Sequence, residues 1–241
     1  MTERQRSGAA WAGTAFAFFF PTLLTFVYFV AAKEDPSLQK SCYAVGKAIQ
    51  FLFPALFAAF VLRESIRPRS LAARGLEIGA VFGIAILIVS VYCWKRFSLE
   101  GGPLFAASEA LSANLTPRLE GVGIRTLGTY ILLALFYSVI HSGLEEYYWR
   151  WFVFGQMNKR IKTYLAAFIA SVGFSLHHVL VVGDYFGYAS PLTWGATLAV
   201  FCGGFFWCWL YDRSESIYAP WLSHGLIDAA IFLIGYRVLF S

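Results

Sequence analysis

Charge is scarce in this chain. Its 241 residues include 19 Lys and Arg and 14 Asp and Glu, so charged residues make up 14%, against about 25% in a typical soluble domain. That deficit excludes an ordinary water-soluble globule. Cysteine offers no scaffold either: Cys42, Cys93, Cys202 and Cys208 lie in apolar stretches without CxxC or Cys/His ligand spacing, and they read as small buried hydrophobes. The sequence also lacks an HExxH zinc signature, an internal repeat, a low-complexity tract and a separate soluble domain. A net charge of +5 with a pI near 9.0 would point to nucleic acid in a soluble protein. Here the basic residues are spread between apolar runs and form no single patch, so the expected partner is the lipid bilayer and no nucleic acid is expected.

Apolar residues fill the space that charge leaves. They make up 59% of the chain, enough for about seven spans of roughly 20 residues each. The long runs are Ala9 to Ala32, Tyr43 to Leu62, Gly75 to Trp94, Leu127 to Phe154, Tyr164 to Val182, Leu192 to Tyr211 and Tyr218 to Leu239. The first is too long for a cleavable signal core and stays as a membrane helix. The stretch from Lys95 to Arg125, with Gly101, Gly102, Pro103 and Pro117 among mixed charges, reads as an interfacial or short helical segment. The fold class is therefore all-α, a polytopic bundle of about seven transmembrane helices, within a range of six to eight. Residues 1–122 supply amino-terminal helices and the interfacial segment, and residues 123–241 the part that carries the chemistry.

Orientation follows from basic residues in alternate loops. Arg4, Arg6, Arg63, Arg67, Arg69, Arg74, Lys159, Arg160, Lys162 and Arg213 fall on one side, and Lys33, Lys40, Lys95, Arg96, Arg118, Arg125 and Arg237 on the other. Ten against seven favours a cytoplasmic amino terminus, in a multi-pass protein of a prokaryotic plasma membrane. An eighth span near Leu104 to Leu115 would reverse that parity.

Ionisable residues inside spans carry the functional signal, since each costs about 2.5 to 3.5 kcal/mol at a helix centre on insertion scales. The fourth span holds His141, Glu145, Glu146 and Arg150 in HSGLEEYYWR, the fifth Phe174, His177 and His178 in FSLHH, and the seventh His224 and Asp228 in HGLID. Residues four apart share a helix face. Glu146 and Arg150 have the spacing and order of an ion pair. Glu145 points elsewhere, without Arg150 as an aligned cation, and is the better candidate for a general base. His224 and Asp228 share a face, so Asp228 can orient the ring or stabilise its protonated form. Phe174 lies one turn before His178 and can wall the same pocket.

Each feature also has a plain structural reading. A buried Glu–Arg pair can serve packing alone, and His141 and His177 read as packed core residues. The aromatic runs Phe18 to Phe20 and Phe205 to Trp209 are expected to face lipid or the interface. Gly79 and Gly83 form a GxxxG packing device. Packing does not account for two acids, a base and two spaced imidazoles in three of seven helices, and these are expected to share a polar cavity.

Taken in order, Glu145-Glu146-xxx-Arg150, Phe174-xxx-His178 and His224-xxx-Asp228 match EExxxR, FxxxH and HxxxN/D. The chain resembles the type II CAAX prenyl endopeptidase and bacteriocin-processing (Abi) family of intramembrane proteases. The resemblance implies an all-helical membrane fold with a conical cavity open to the cytosol. It implies hydrolysis near the end of a membrane-anchored or lipidated protein, with prenylated carboxy-termini as the substrate class of some relatives. Glu145 would activate water, Glu146 and Arg150 would hold and tune it, and His178 and His224 would polarise the scissile carbonyl or its oxyanion. Asp228 would stand in the Asn/Asp position, where an ionised Asp accepts hydrogen bonds and cannot donate one to an oxyanion as Asn does. No cofactor is expected; zinc, named for some members, is not favoured. Two other readings stay open on the residues alone: a non-catalytic membrane scaffold or immunity-type protein, and a proton- or cation-coupled transporter, which would commonly show repeat halves.

Overall fold

The computed structural model describes residues 2–32, 34–66 and 74–240. Lys33, Arg67 and Arg69, which entered the orientation count, lie outside the described residues. Every regular element among the described residues is helical. Seven helices are long and apolar enough to cross a membrane: α1 (Glu3–Ala31), α2 (Ser37–Leu62), α3 (Leu76–Phe97), α5 (Leu127–Asn158), α6 (Thr163–Phe186), α7 (Pro191–Ser214) and α8 (Tyr218–Phe240). The shortest has 22 residues, which at 1.5 Å per residue covers the roughly 30 Å hydrocarbon layer. The segment after Lys95 contributes α4 (Phe105–Gly121), 17 residues long with Pro117 inside it. The chain is thus an integral multi-pass membrane protein. Large apolar side chains such as Phe19, Leu52, Phe60, Val81 and Leu132 are exposed along the helices, as a lipid-solvated surface requires.

Local chemistry fixes the ends. Thr2 and Gln5 form a reciprocal capping box at the start of α1. Asp35 accepts from the backbone N–H groups of Ser37 and Leu38 ahead of α2, and Thr126 with Thr129 caps α5. These side chains satisfy amide donors that the first helical turn leaves open. Helix α5 is not uniform: wide π-helical turns over Phe136–His141 and Tyr147–Phe154 flank the short α-helical stretch Ser142–Glu146. Such turns occur often at functional sites.

The chain forms two compact units, one of residues 1–71 and 145–217, the other of residues 72–144 and 218–241. In the first unit α6 packs along α7 and against α1. The Tyr148 hydroxyl donates to Ala17 O at 2.7 Å, tying α5 to α1. Phe152 meets the Phe53 and Phe57 rings edge-on, tying α5 to α2. Gly173 lets Phe18 and Trp149 approach the α6 backbone, where a Cβ would lie 2.6 Å from Phe18 and 2.9 Å from Trp149. Small residues at crossings are the usual route to close helix packing in lipid.

In the second unit α3 packs along α8, with Gly83 of the GxxxG pair against Leu226 and the Ser223 carbonyl. The Tyr130 hydroxyl donates to Phe232 O at 2.8 Å, and the Trp221 indole donates to Val139 O at 2.8 Å.

Two expectations need correction. Of the four cysteines only Cys208 is buried; Cys42 and Cys93 are half-buried and Cys202 is exposed, all four as free thiols. An exposed thiol on a lipid-facing helix costs little, so apolar sequence context did not imply burial. Trp207, inside an aromatic run expected to face lipid, is 3% exposed, because it covers a buried guanidinium.

Candidate active site

Helix α5 brings Glu145, Glu146 and Arg150 into the first unit. Glu146 and Arg150, four apart and both fully buried, lie 3.1 Å apart between Oε1 and Nη1. The guanidinium carbon sits 4.6 Å from the Phe174 ring centre and 4.9 Å from that of Trp207. Arg150 makes no geometrically sound hydrogen bond among the described residues, so charge and two aromatic faces hold it. This gives Phe174 a role beyond walling: its ring and that of Trp207, inclined at 72° with centres 6.1 Å apart, form a corner against the guanidinium. Gly204 admits the arrangement by letting Phe174 and Ser171 lie against α7.

Glu145 is also buried, and it faces a different group. His177 Nε2 lies 3.7 Å from its Oε1, within ion-pair range and longer than a hydrogen bond. The His177 ring is parallel to the Trp149 indole, with centres 6.1 Å apart and planes 6° apart. Trp149 thus fixes the imidazole beside the carboxylate. His177 is buried, as a packed core residue is, and it also stands beside Glu145; helix rotation decides this, since His177 and His178 are adjacent and point about 100° apart.

His178 is held differently. Its Nδ1 lies 2.8 Å from Phe174 O, and a carbonyl can only accept, so Nδ1 carries the proton. The neutral ring then presents Nε2 as a lone pair, and only the imidazolium can donate from Nε2 to a developing oxyanion.

In the second unit, His224 Nε2 and Asp228 Oδ1 are 3.7 Å apart on α8, the imidazole nearly enclosed and the carboxylate more open. The pair has the i, i+4 arrangement in which Asp228 can orient His224.

Sequence reasoning passed over Lys47 and Gln50 on α2. Lys47 Nζ lies 5.3 Å from the Phe51 ring centre and 5.8 Å from that of Tyr43, and its charge interacts with that of Glu145. Gln50 is 1% exposed, with no hydrogen-bond partner for its amide among the described residues. The signal was available: both interrupt a run otherwise read as apolar.

A cavity of about 540 Å³ opens where α2, α5 and α7 end, lined in part by Glu64, Trp151, Gln156, Lys159, Tyr211 and Asp212 and by none of the motif residues. Glu64 accepts from Gln156 Nε2 and Lys159 Nζ, each at 2.7 Å. Burial opposes its ionisation, but these two hydrogen bonds and the charges of Lys159 and Arg160 prevail and hold its carboxyl below the ordinary value. Among the described residues no group of three or more His, Cys, Asp or Glu side chains is arranged to hold a metal ion.

No curated protein and no solved structure matches the chain. Residues 127–230, the stretch holding all three motifs, match the family model described as type II CAAX prenyl endopeptidase Rce1-like, and over that stretch the chain is similar to that family.

Proposed function

We propose that this protein is an intramembrane endopeptidase that hydrolyses a peptide bond near the end of a membrane-anchored or lipidated protein, with Glu145 as general base and without an obligatory metal. The observation that carries the reading is the unequal treatment of two adjacent buried acids: Arg150 takes up Glu146 at 3.1 Å, while Glu145 stands beside an imidazole at 3.7 Å. A carboxylate in that setting can accept a proton from water as the water oxygen bonds to the scissile carbonyl carbon. The tetrahedral oxyanion is stabilised by donated hydrogen bonds. Breakdown cleaves the C–N bond, the proton passes from Glu145 to the leaving nitrogen, and the products are a new carboxylic acid and an amine, which ionise to carboxylate and ammonium in water. His177 is placed to hold Glu145 in position and to share its proton.

The resemblance assigns oxyanion-stabilising roles to His178 and to His224, and for His224, which lies in the second unit, the role rests on that resemblance alone. His178 fills its role as the imidazolium, because its Nδ1 is committed to Phe174 O. Asp228 acts through His224 by favouring its protonated form. The family similarity supports a protease acting in the bilayer, and the specificity for a lipidated end is the part that rests on resemblance alone.

The test is mass analysis of a membrane-anchored peptide incubated with the reconstituted protein. Wild type should yield two fragments whose masses sum to the peptide plus one water, and Glu145→Gln should yield none while remaining folded. Fragments from Glu145→Gln at the wild-type rate would overturn the assignment.

A further inference from the structure

Lys47 lies well inside α2, ten residues beyond its start at Ser37, about 15 Å along the helix axis. A lysine at that depth is costly unless an opposite charge or a polarisable surface meets it. Both are present. The ammonium is set over the Phe51 and Tyr43 rings at 5.3 and 5.8 Å, and Phe51 packs edge-on against Tyr148, with ring centres 6.4 Å apart. Tyr148 follows Glu145 by three residues on α5, so the lysine-bearing side of α2 faces the helix that carries the proposed base. The carboxylate with which the Lys47 charge interacts is Glu145.

The charges around Glu145 can be counted element by element. On α5, Glu146 is matched by Arg150. From α6 come His177, beside Glu145, and His178, bound to Phe174 O. From α7, Trp207 and Cys208 lie toward the Arg150 side, where the Asp212 charge also acts on Cys208. Between Gly8 and Val27, α1 carries no Asp, Glu, Lys, Arg or His. Glu146 has Arg150 as its cation, and Lys47 is the basic residue that α2 brings toward Glu145.

We infer that Lys47 is a positioning residue that keeps Glu145 anionic in the bilayer, a role that rests on the reading of Glu145 as base. It touches no substrate atom and acts by making the charged carboxylate cheaper to hold. Removing its charge should leave the base intact at high pH and starve the reaction of ionised base at lower pH.

The experiment is a double-mutant cycle on the full chain in detergent, read as thermal unfolding, with Lys47→Met, Glu145→Gln and the double variant. Each single change should lower the midpoint by stranding the opposite charge, and the double should be no less stable than the worse single variant. Losses that simply add would overturn the inference. If Lys47→Met alone cannot be purified, recovery of the double variant supports the coupling and failure to recover it overturns it. Lys47→Arg should keep the wild-type midpoint.

The pH profile of kcat/KM supplies the second reading. In Lys47→Met its acidic limb should move up by about one pH unit, equivalent to about tenfold at a fixed pH on that limb, and Lys47→Arg should restore it. An unmoved limb also overturns the inference. Because the unfolding cycle needs no substrate, a coupled cycle with an active Glu145→Gln sinks the proposed base and spares the Lys47 pairing. An additive cycle with an inactive Glu145→Gln does the reverse.

Discussion

Replacing Arg150 by Met should destabilise the protein severely, and the structure sets the scale. The guanidinium and the Glu146 carboxylate are 1% and 0% exposed and 3.1 Å apart, so removing the cation strands a buried charge. Breaking a buried pair from one side costs about 3–5 kcal/mol. For a chain of this size each kcal/mol moves the unfolding midpoint by roughly 2–4 °C, so a fall of roughly 6–20 °C is expected in a detergent melt. The decisive comparison is Glu146→Leu with Arg150→Met. Removing both charges strands neither, and the double variant should recover most of the loss. Arg150→Lys should fall between, because an ammonium lacks the flat face that the guanidinium presents to the Phe174 and Trp207 rings. A single Arg150→Met variant melting within about 1 kcal/mol of wild type would refute the view that this pair frames the site.

Gly173→Ala would place a methyl group 2.6 Å from the Phe18 ring, and overpacking of that kind costs about 1–3 kcal/mol; an unchanged melting curve would contradict the close crossing of α1 and α6. Glu64 makes a pH-dependent contribution. Its folded-state pKa lies below the ordinary value of 4.5, so its stabilisation is full above that value and is lost as pH falls through the lower folded value. Glu64→Gln should therefore remove a small increment near neutral pH, no more than about 1 kcal/mol for a partly exposed pair, and flatten the fall in stability on acidification. Equal losses at neutral and strongly acidic pH would contradict the ionic role.

Hydropathy made the spans legible because the bilayer imposes it residue by residue. Its limits show at the ends. The first helix begins at Glu3, not Ala9, and the second at Ser37, not Tyr43, because capping by Thr2 and Asp35 extends each helix through polar residues. The Glu146–Arg150 and His224–Asp228 pairs were readable because i, i+4 geometry is local. The partner of Glu145 was not, since choosing between His177 and His178 requires the rotation of α6, which packing against α1 and α7 sets. Lys47 was hidden for a different reason. The loop count takes in seventeen of the nineteen basic residues and leaves out only Arg150 and Lys47, but Lys47 belongs to no local motif. Its relation to Glu145 runs between helices nearly a hundred residues apart in sequence.

The central claim is that Glu145 supplies the base for peptide hydrolysis. It is tested most directly by the single-turnover cleavage rate of a membrane-anchored peptide in proteoliposomes, measured for wild type and Glu145→Gln, each with and without a strong metal chelator. The account predicts a loss of about 10²–10⁴-fold or more for Glu145→Gln, the range that general-base catalysis provides, and no change in the wild-type rate with chelator. A Glu145→Gln rate equal to wild type would contradict the assignment of the base, and abolition of wild-type cleavage by the chelator would contradict the metal-free mechanism.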